Sequence, residues 1–161
     1  SHGPAKLPRL LPTRWAMATA SSCVFCDILE GRAPGSVVYR DGLVTAFMDI
    51  QPINPGHLLV VPNEHAADLA ELPAATGARL FEVGQKLAAA LRRTAVRCEG
   101  INLFLADGEP AGQEVFHVHL HVLPRFEADG FGLHYGAHYF ERPSRATLDE
   151  VAGAIRGQFE P

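Results

Sequence analysis

Along the chain, apolar positions recur with two different periods, and the switches between them mark the elements. Val37 to Arg40 and Val44 to Asp49 are β-branched or aromatic runs separated by Asp41-Gly42, which predicts an antiparallel hairpin. Gln51-Pro52-Ile53-Asn54-Pro55-Gly56 is turn-forming, and His57 to Pro62 reads as a buried strand stopped by proline. From Ala74 to about Arg97, Leu80, Val83, Leu87 and Leu91 return at spacings of three and four. Arg79, Glu82, Lys86 and Arg92 fall between them, so the spacing predicts one long amphipathic helix. Ile101 to Ala106 and His117 to Pro124 read as two further strands, joined by the polar loop Asp107 to Val115. Thr147-Leu148-Asp149-Glu150 is a capping box that opens a final helix to about Phe159. Near the start, Ser21 to Gly31 is either a short helix capped by Ser21 or Ser22 and closed by Gly31, or a metal knuckle leading into one. The connections between strands are too short for parallel crossovers, so the class is α+β on an antiparallel sheet.

Composition narrows what such a fold could serve. At 161 residues the chain holds one domain, placed at 17–161. Residues 1–16 carry three basic side chains and prolines at 4, 8 and 12, which breaks any secretion-signal core, and Met17 resembles a start residue. They are read as an upstream extension or a cloning remnant. No apolar run approaches the ~20 residues of a membrane span. The net charge of −4 supplies no basic face for a nucleic-acid polymer. Three cysteines exclude a fully paired disulfide framework, and the spacing of Cys23 and Cys26 favours a reducing, cytoplasmic setting with a metal or redox role.

The most informative stretch is Phe116-His117-Val118-His119-Leu120-His121-Val122-Leu123-Pro124. In a strand, the three histidines share one face at ~6.7 Å intervals while Val118, Leu120 and Val122 enter the core. A lone histidine is usually a hydrogen-bonded structural residue, but strict alternation of three is not that pattern. Two readings stay open from the residues: a phosphate-attacking imidazole with helpers, or ligands of a catalytic metal. The preceding Asp107-Gly108-Glu109-Pro110-Ala111-Gly112-Gln113 is either a plain hairpin loop or one whose amides approach phosphate oxygens.

His117-Val118-His119-Leu120-His121-Val122-Leu123 resembles the signature of the histidine-triad (HIT) family. The likeness extends over roughly Cys23 to Phe131, through Phe25-Cys26-Asp27-Ile28, Ala46-Phe47-Met48-Asp49, Pro55-Gly56-His57-Leu58 and Ala111-Gly112-Gln113. It implies a five-stranded antiparallel sheet with one long helix and a C-terminal helix. Homodimers built through the long helix and a sheet edge would make a ten-stranded sheet. It further implies a nucleotide hydrolase or transferase cleaving at the α-phosphate of nucleoside phosphoramidates or dinucleoside polyphosphates, purines preferred. His119 would be the nucleophile, its tautomer held by a carbonyl near His57. His121, His57 and Gln113 would assist, with amides around Gly112 to Glu114. Asp49 would receive the ribose hydroxyls, although by pattern alone it could equally form the following turn. Phe25, Ile28 and Phe47 would wall the base, although each taken singly reads as core. Two departures stand out: Ala106 replaces a frequent Asn, and Glu114 replaces a frequent Ser or Thr.

Cys23 and Cys26 form half of a zinc site, or else a buried or redox pair. The resemblance to bacterial zinc-containing relatives completes the set with His65, of Pro62-Asn63-Glu64-His65, and His117, a closed structural site without open coordination. Cys98 is left for packing at the helix end. The remaining alternatives are a metal-dependent phosphohydrolase and a nucleotide-binding regulatory module without turnover.

Overall fold

The computed structural model describes residues 22–161. The expected caps of the first helix straddle this limit, Ser21 lying outside the described residues. One compact unit runs to Asp129 and a second from Gly130 to Pro161, and each is described by itself.

In the first unit, helix α1 (Val24–Leu29) precedes strands β1 (Val37–Arg40), β2 (Val44–Met48) and β3 (Leu58–Pro62). Helix α2 (Ala74–Leu91), β4 (Gly100–Leu105) and β5 (Leu120–Arg125) follow. The five strands form one sheet in the order β1-β2-β3-β5-β4, and every neighbouring pair is antiparallel. The hairpin predicted at Asp41-Gly42 is present. Asp41 Oδ1 accepts the amides of Leu43 and Val44 at 2.8 Å each. Asp41 Oδ2 also receives Arg79 Nε of α2 at 2.7 Å, which ties the hairpin to the long helix.

The period-two pattern sends alternate residues to two differently covered faces. Ala46, Leu58, Val60, Leu120 and Val122 pack with Leu80, Val83, Leu87 and Leu91 of α2. Phe47, Leu59 and Val61 pack instead with Cys23, just ahead of α1, and with Phe25, Cys26 and Leu29 of α1. Both faces are covered, which explains why all five residues of β3 are buried. Gly84 lets α2 lie close on β5, since a Cβ there would stand 2.9 Å from Leu120 Cδ2.

Several boundaries differ from the sequence reading, and the hydrogen bonds account for two in this unit. Helix α2 ends at Leu91 rather than near Arg97, because Thr94 Oγ1 takes the Leu91 carbonyl at 2.7 Å and competes with the helical ladder. Val96 and Cys98, released from the helix, pack against the core. Strand β5 begins at Leu120 rather than His117, because the Val118 amide donates to Ala66 O at 2.8 Å and leaves the sheet ladder. Helix α1 has Cys23 at its N-cap position, with no side-chain cap.

The second unit contains a 3₁₀ turn (Ala137–Phe140) and helix α3 (Arg145–Gln158). Its cap is Ser144, whose Oγ accepts the Thr147 amide at 3.1 Å, so the helix opens one turn before the predicted capping box. No residue of α3 is buried. No helix among the described residues is long and apolar enough to cross a membrane.

Candidate active site and metal cluster

The three alternating histidines all face the side of the sheet covered by α1. The Phe25 ring meets His117 and His119 edge-on, with centroids 5.8 and 5.2 Å away, and His119 and His121 lie 4.9 Å apart. Their nitrogens have separate duties.

His119 is buried, and its Nδ1 lies 2.8 Å from the carbonyl oxygen of His117. A carbonyl only accepts, so Nδ1 carries the proton and Nε2 keeps its lone pair. The tautomer-fixing carbonyl therefore belongs to His117, two residues back on the same segment, and not to the neighbourhood of His57 as expected. Burial lowers the His119 pKa below the ordinary histidine value, and the carbonyl, Asp49 and Glu114 offset part of that shift.

His117 divides its ring between two neighbours. Nε2 donates to Pro62 O at 2.9 Å, which leaves Nδ1 unprotonated. That Nδ1 stands 3.4 Å from Cys23 Sγ, 3.6 Å from Cys26 Sγ and 3.2 Å from His65 Nδ1, and Cys26 Sγ is 3.4 Å from His65 Nδ1. A zinc ion bonded at about 2.3 Å to sulfur and about 2.0–2.1 Å to nitrogen has tetrahedral edges of about 3.3–3.8 Å. Three of the four separations fall in that range, the His65–His117 edge of 3.2 Å is slightly shorter, and all four atoms lie within 4.8 Å of one another. Burial holds His117 neutral, with its pKa near 4, and raises the Cys26 thiol to about 11, with Cys23 adding to the shift. A bound cation would take the place of those thiol protons.

His57 and His121 form a second set. His57 Nε2 is 2.9 Å from His121 Nδ1 and 3.7 Å from Asp49 Oδ2, while His57 Nδ1 receives the Ile53 amide at 3.1 Å. Asp49 performs the turn role as well, because its Oδ1 accepts the Gln51 amide at 2.8 Å. Phe104 of β4 stacks on His121 with centroids 4.2 Å apart and planes 15° apart, a contact missed in the sequence because it appears only once the β4 to β5 register is known.

Beside these histidines lies a cavity of about 520 Å³ lined by Phe25, Ile28, Phe47, Leu59 and Val115, with Asp49 at its polar side. All four residues expected at base or ribose, Phe25, Ile28, Phe47 and Asp49, meet there. His119 does not line the cavity itself and adjoins it through Phe25. In the approach loop Gly112 has φ +91°, a left-handed conformation suited to glycine. The amides of Gly112 and Gln113 are turned inward, onto Glu109 O and Gly108 O at 2.9 and 3.1 Å. The Glu114 amide makes no hydrogen bond among the described residues. Gln113 is buried, donating to Ala67 O and Val115 O and accepting from the Gly108 amide. Its amide thus builds the loop, and direct action on a substrate would require breaking those bonds.

Burial first, and then the neighbouring histidines, lower the pKa of His121 to about 3; burial also lowers that of His57, against the pull of Asp49. An unfolded chain protonates both near the ordinary value of about 6.5. As pH falls through that value the unfolded state binds protons that the fold refuses, so stability is complete above it and declines below. The slope is at most about 1.4 kcal/mol per pH unit for each group. The urea midpoint is expected to fall between pH 7 and 5, and to fall less in His121→Gln; equal slopes in both proteins would contradict this account.

A HIT-domain family model matches residues 30–128. A HIT-like protein of Borreliella burgdorferi is 45% identical over 115 residues, 71% of this chain and 83% of that protein. An adenylylsulfatase of Arabidopsis thaliana is 33% identical over 109 residues, 68% of this chain and 55% of the plant protein. Among solved structures, a HIT family protein of Bacillus anthracis superposes with a TM-score of 0.80 at 38% identity, covering 88% of this chain and all of that one. A zinc-bound histidine-triad family protein of Mycobacterium smegmatis superposes with a TM-score of 0.67 at 38% identity, covering 84% and 99%. With the alternating histidines on one side of an antiparallel five-stranded sheet, these likenesses establish that the chain belongs to the HIT family.

Proposed function

We propose that the protein is a nucleotide hydrolase or transferase that cleaves at the α-phosphate of nucleoside phosphoramidates or dinucleoside polyphosphates, with purines preferred. The observation that carries this reading is the buried His119 ring, neutral and bound through Nδ1–H to His117 O, which leaves Nε2 as the nucleophile. Nε2 forms a bond to phosphorus as the bond to the leaving group breaks. A polyphosphate departs as its anion, and an amine already protonated on the phosphoramidate nitrogen departs neutral. The positive charge that develops on the His119 ring rests against the His117 carbonyl. Water then attacks phosphorus, releasing the mononucleotide and a proton and restoring His119.

The base occupies the cavity between Phe25, Ile28 and Phe47, and Asp49 Oδ2 accepts from the ribose. The free amide of Glu114 and the ring of His121 face the negative phosphate, while the exposed Glu114 carboxylate disfavours highly charged leaving groups. The adenylylsulfatase relative supports chemistry at an adenylyl group.

Cys23, Cys26, His65 and His117 hold a structural zinc, a reading supported by their spacing and by the zinc-bound relative. Zinc there supplies a closed cross-link and no water activation. The same reading places the protein in a reducing cytoplasm as a homodimer, joined through α2 and a sheet edge. The test is a panel that compares an AMP-lysine-type phosphoramidate with a diadenosine polyphosphate. AMP is expected from at least one; release from neither overturns the catalytic reading in favour of a binding module.

A further inference from the structure

Asp49, His57 and His121 present one ligand atom each within 4.8 Å of one another, a two-histidine, one-carboxylate set of the kind that binds transition metals. The hydrogen bonds around it argue against such use. The Ile53 amide, 3.1 Å from His57 Nδ1, is a donor and requires a bare nitrogen. Neither the Nδ1–H tautomer of His57 nor its imidazolium satisfies that amide, since each would set one N–H against another. His57 therefore carries its single proton on Nε2, the atom a metal would need. That proton points at His121 Nδ1, 2.9 Å away, so the neutral His121 carries its own proton on Nε2.

The amide is held firmly. Asn54, the next residue, is buried and donates from Nδ2 to Pro124 O at 3.0 Å and to Asp129 Oδ2 at 2.8 Å. The His57 amide returns to Asn54 O at 3.1 Å, so His57 is bonded to both ends of the same short turn.

We propose that the main-chain N–H of Ile53 is a positioning group for the active site. It makes His57 a one-way donor, turns His121 into an Nε2–H donor, and keeps transition metals out of the Asp49, His57 and His121 set. The order is Ile53 N–H to His57 Nδ1, then His57 Nε2–H to His121 Nδ1, with His121 Nε2–H left as the outward donor. Only the use of that last proton, against phosphate, rests on the proposed nucleotidyl transfer. The order of protons and the refusal of metal do not, so they succeed or fail separately from it.

Long-range proton–nitrogen correlation spectra of the full-length, zinc-loaded protein read the tautomers directly. The expected pattern has protons on Nε2 of His57 and His121; a proton on His57 Nδ1 overturns the proposal without any variant. Ile53→Pro removes the N–H, whereas Ile53→Ala keeps it. In cobalt(II) titrations of the same zinc-loaded protein, the parent and Ile53→Ala proteins are expected to bind no cobalt tightly. Ile53→Pro should take one equivalent at least tenfold more tightly than the parent does, and the double variant with Asp49→Asn should lose it. Cobalt bound as tightly by the parent as by Ile53→Pro overturns the proposal, and if the proline variant does not fold, the tautomer spectrum and the cobalt stoichiometry of the parent decide.

Discussion

His119→Ala is expected to lower kcat by at least about 10³-fold while leaving nucleotide affinity within a few fold, because the nucleophile acts on the transition state and not on the base. The base cavity is formed by Phe25, Ile28, Phe47 and neighbours and contains no atom of His119, so truncating the imidazole leaves it standing. Among the described residues the ring hydrogen-bonds through Nδ1 alone, and its loss unpairs one carbonyl, at a cost of about 1–3 kcal/mol, which a folded domain tolerates. Rapidly quenched samples of the parent, kept alkaline because a phosphorus–imidazole bond is cleaved in acid, should show one added nucleotidyl mass on the peptide that contains His119, absent in the variant. Turnover by His119→Ala within tenfold of the parent would remove covalent catalysis from consideration.

Cys26→Ser should lower the melting temperature by roughly 8–16 °C, as expected if about 4 kcal/mol is lost at 2–4 °C per kcal/mol in a domain of this size. It should also reduce zinc from about one equivalent per chain to a small fraction. Cys26 is buried beside His65 and His117, so on the proposed zinc reading a hydroxyl there would weaken the hold on the metal and strand the remaining donors. The effect is not confined to stability. Helix α1 supplies Phe25 and Ile28 to the cavity, so loosening it should raise KM for a nucleotide more than it lowers kcat. Parent protein isolated without zinc, yet melting unchanged after exhaustive chelation, would show that the four residues serve another purpose.

How much of this was legible in the residues depended on the range of the interaction concerned. The hairpin at Asp41-Gly42, the buried strand β3 and the apolar stripe of α2 follow from patterns within a few residues, and the structure has all three. The histidine alternation announced a shared face because it is a property of one extended segment. Boundaries shifted where a competing bond intervened, one long-range and one local: Ala66 O draws Val118 out of the ladder, and Thr94 Oγ1, three residues on, closes α2 at Leu91. The gathering of Cys23, Cys26, His65 and His117 spans more than ninety positions and came from family likeness rather than from spacing. Least legible were main-chain partners. The carbonyls of His117 and Pro62 and the amide of Ile53 decide which nitrogen of each ring holds its proton, yet every residue type has such groups.

The two-faced sheet has a consequence for how this chain tolerates change. From Leu58 to Val61 and from Leu120 to Val122, one residue serves the α2 side and the next serves the opposite side. Exchanging one aliphatic for another in either run disturbs packing alone. Adding or deleting a single position would rotate every later side chain to the wrong surface, placing Leu120 where His121 belongs. Length in these two runs is therefore guarded more strictly than composition, and natural variation in size should collect outside them, in the connections.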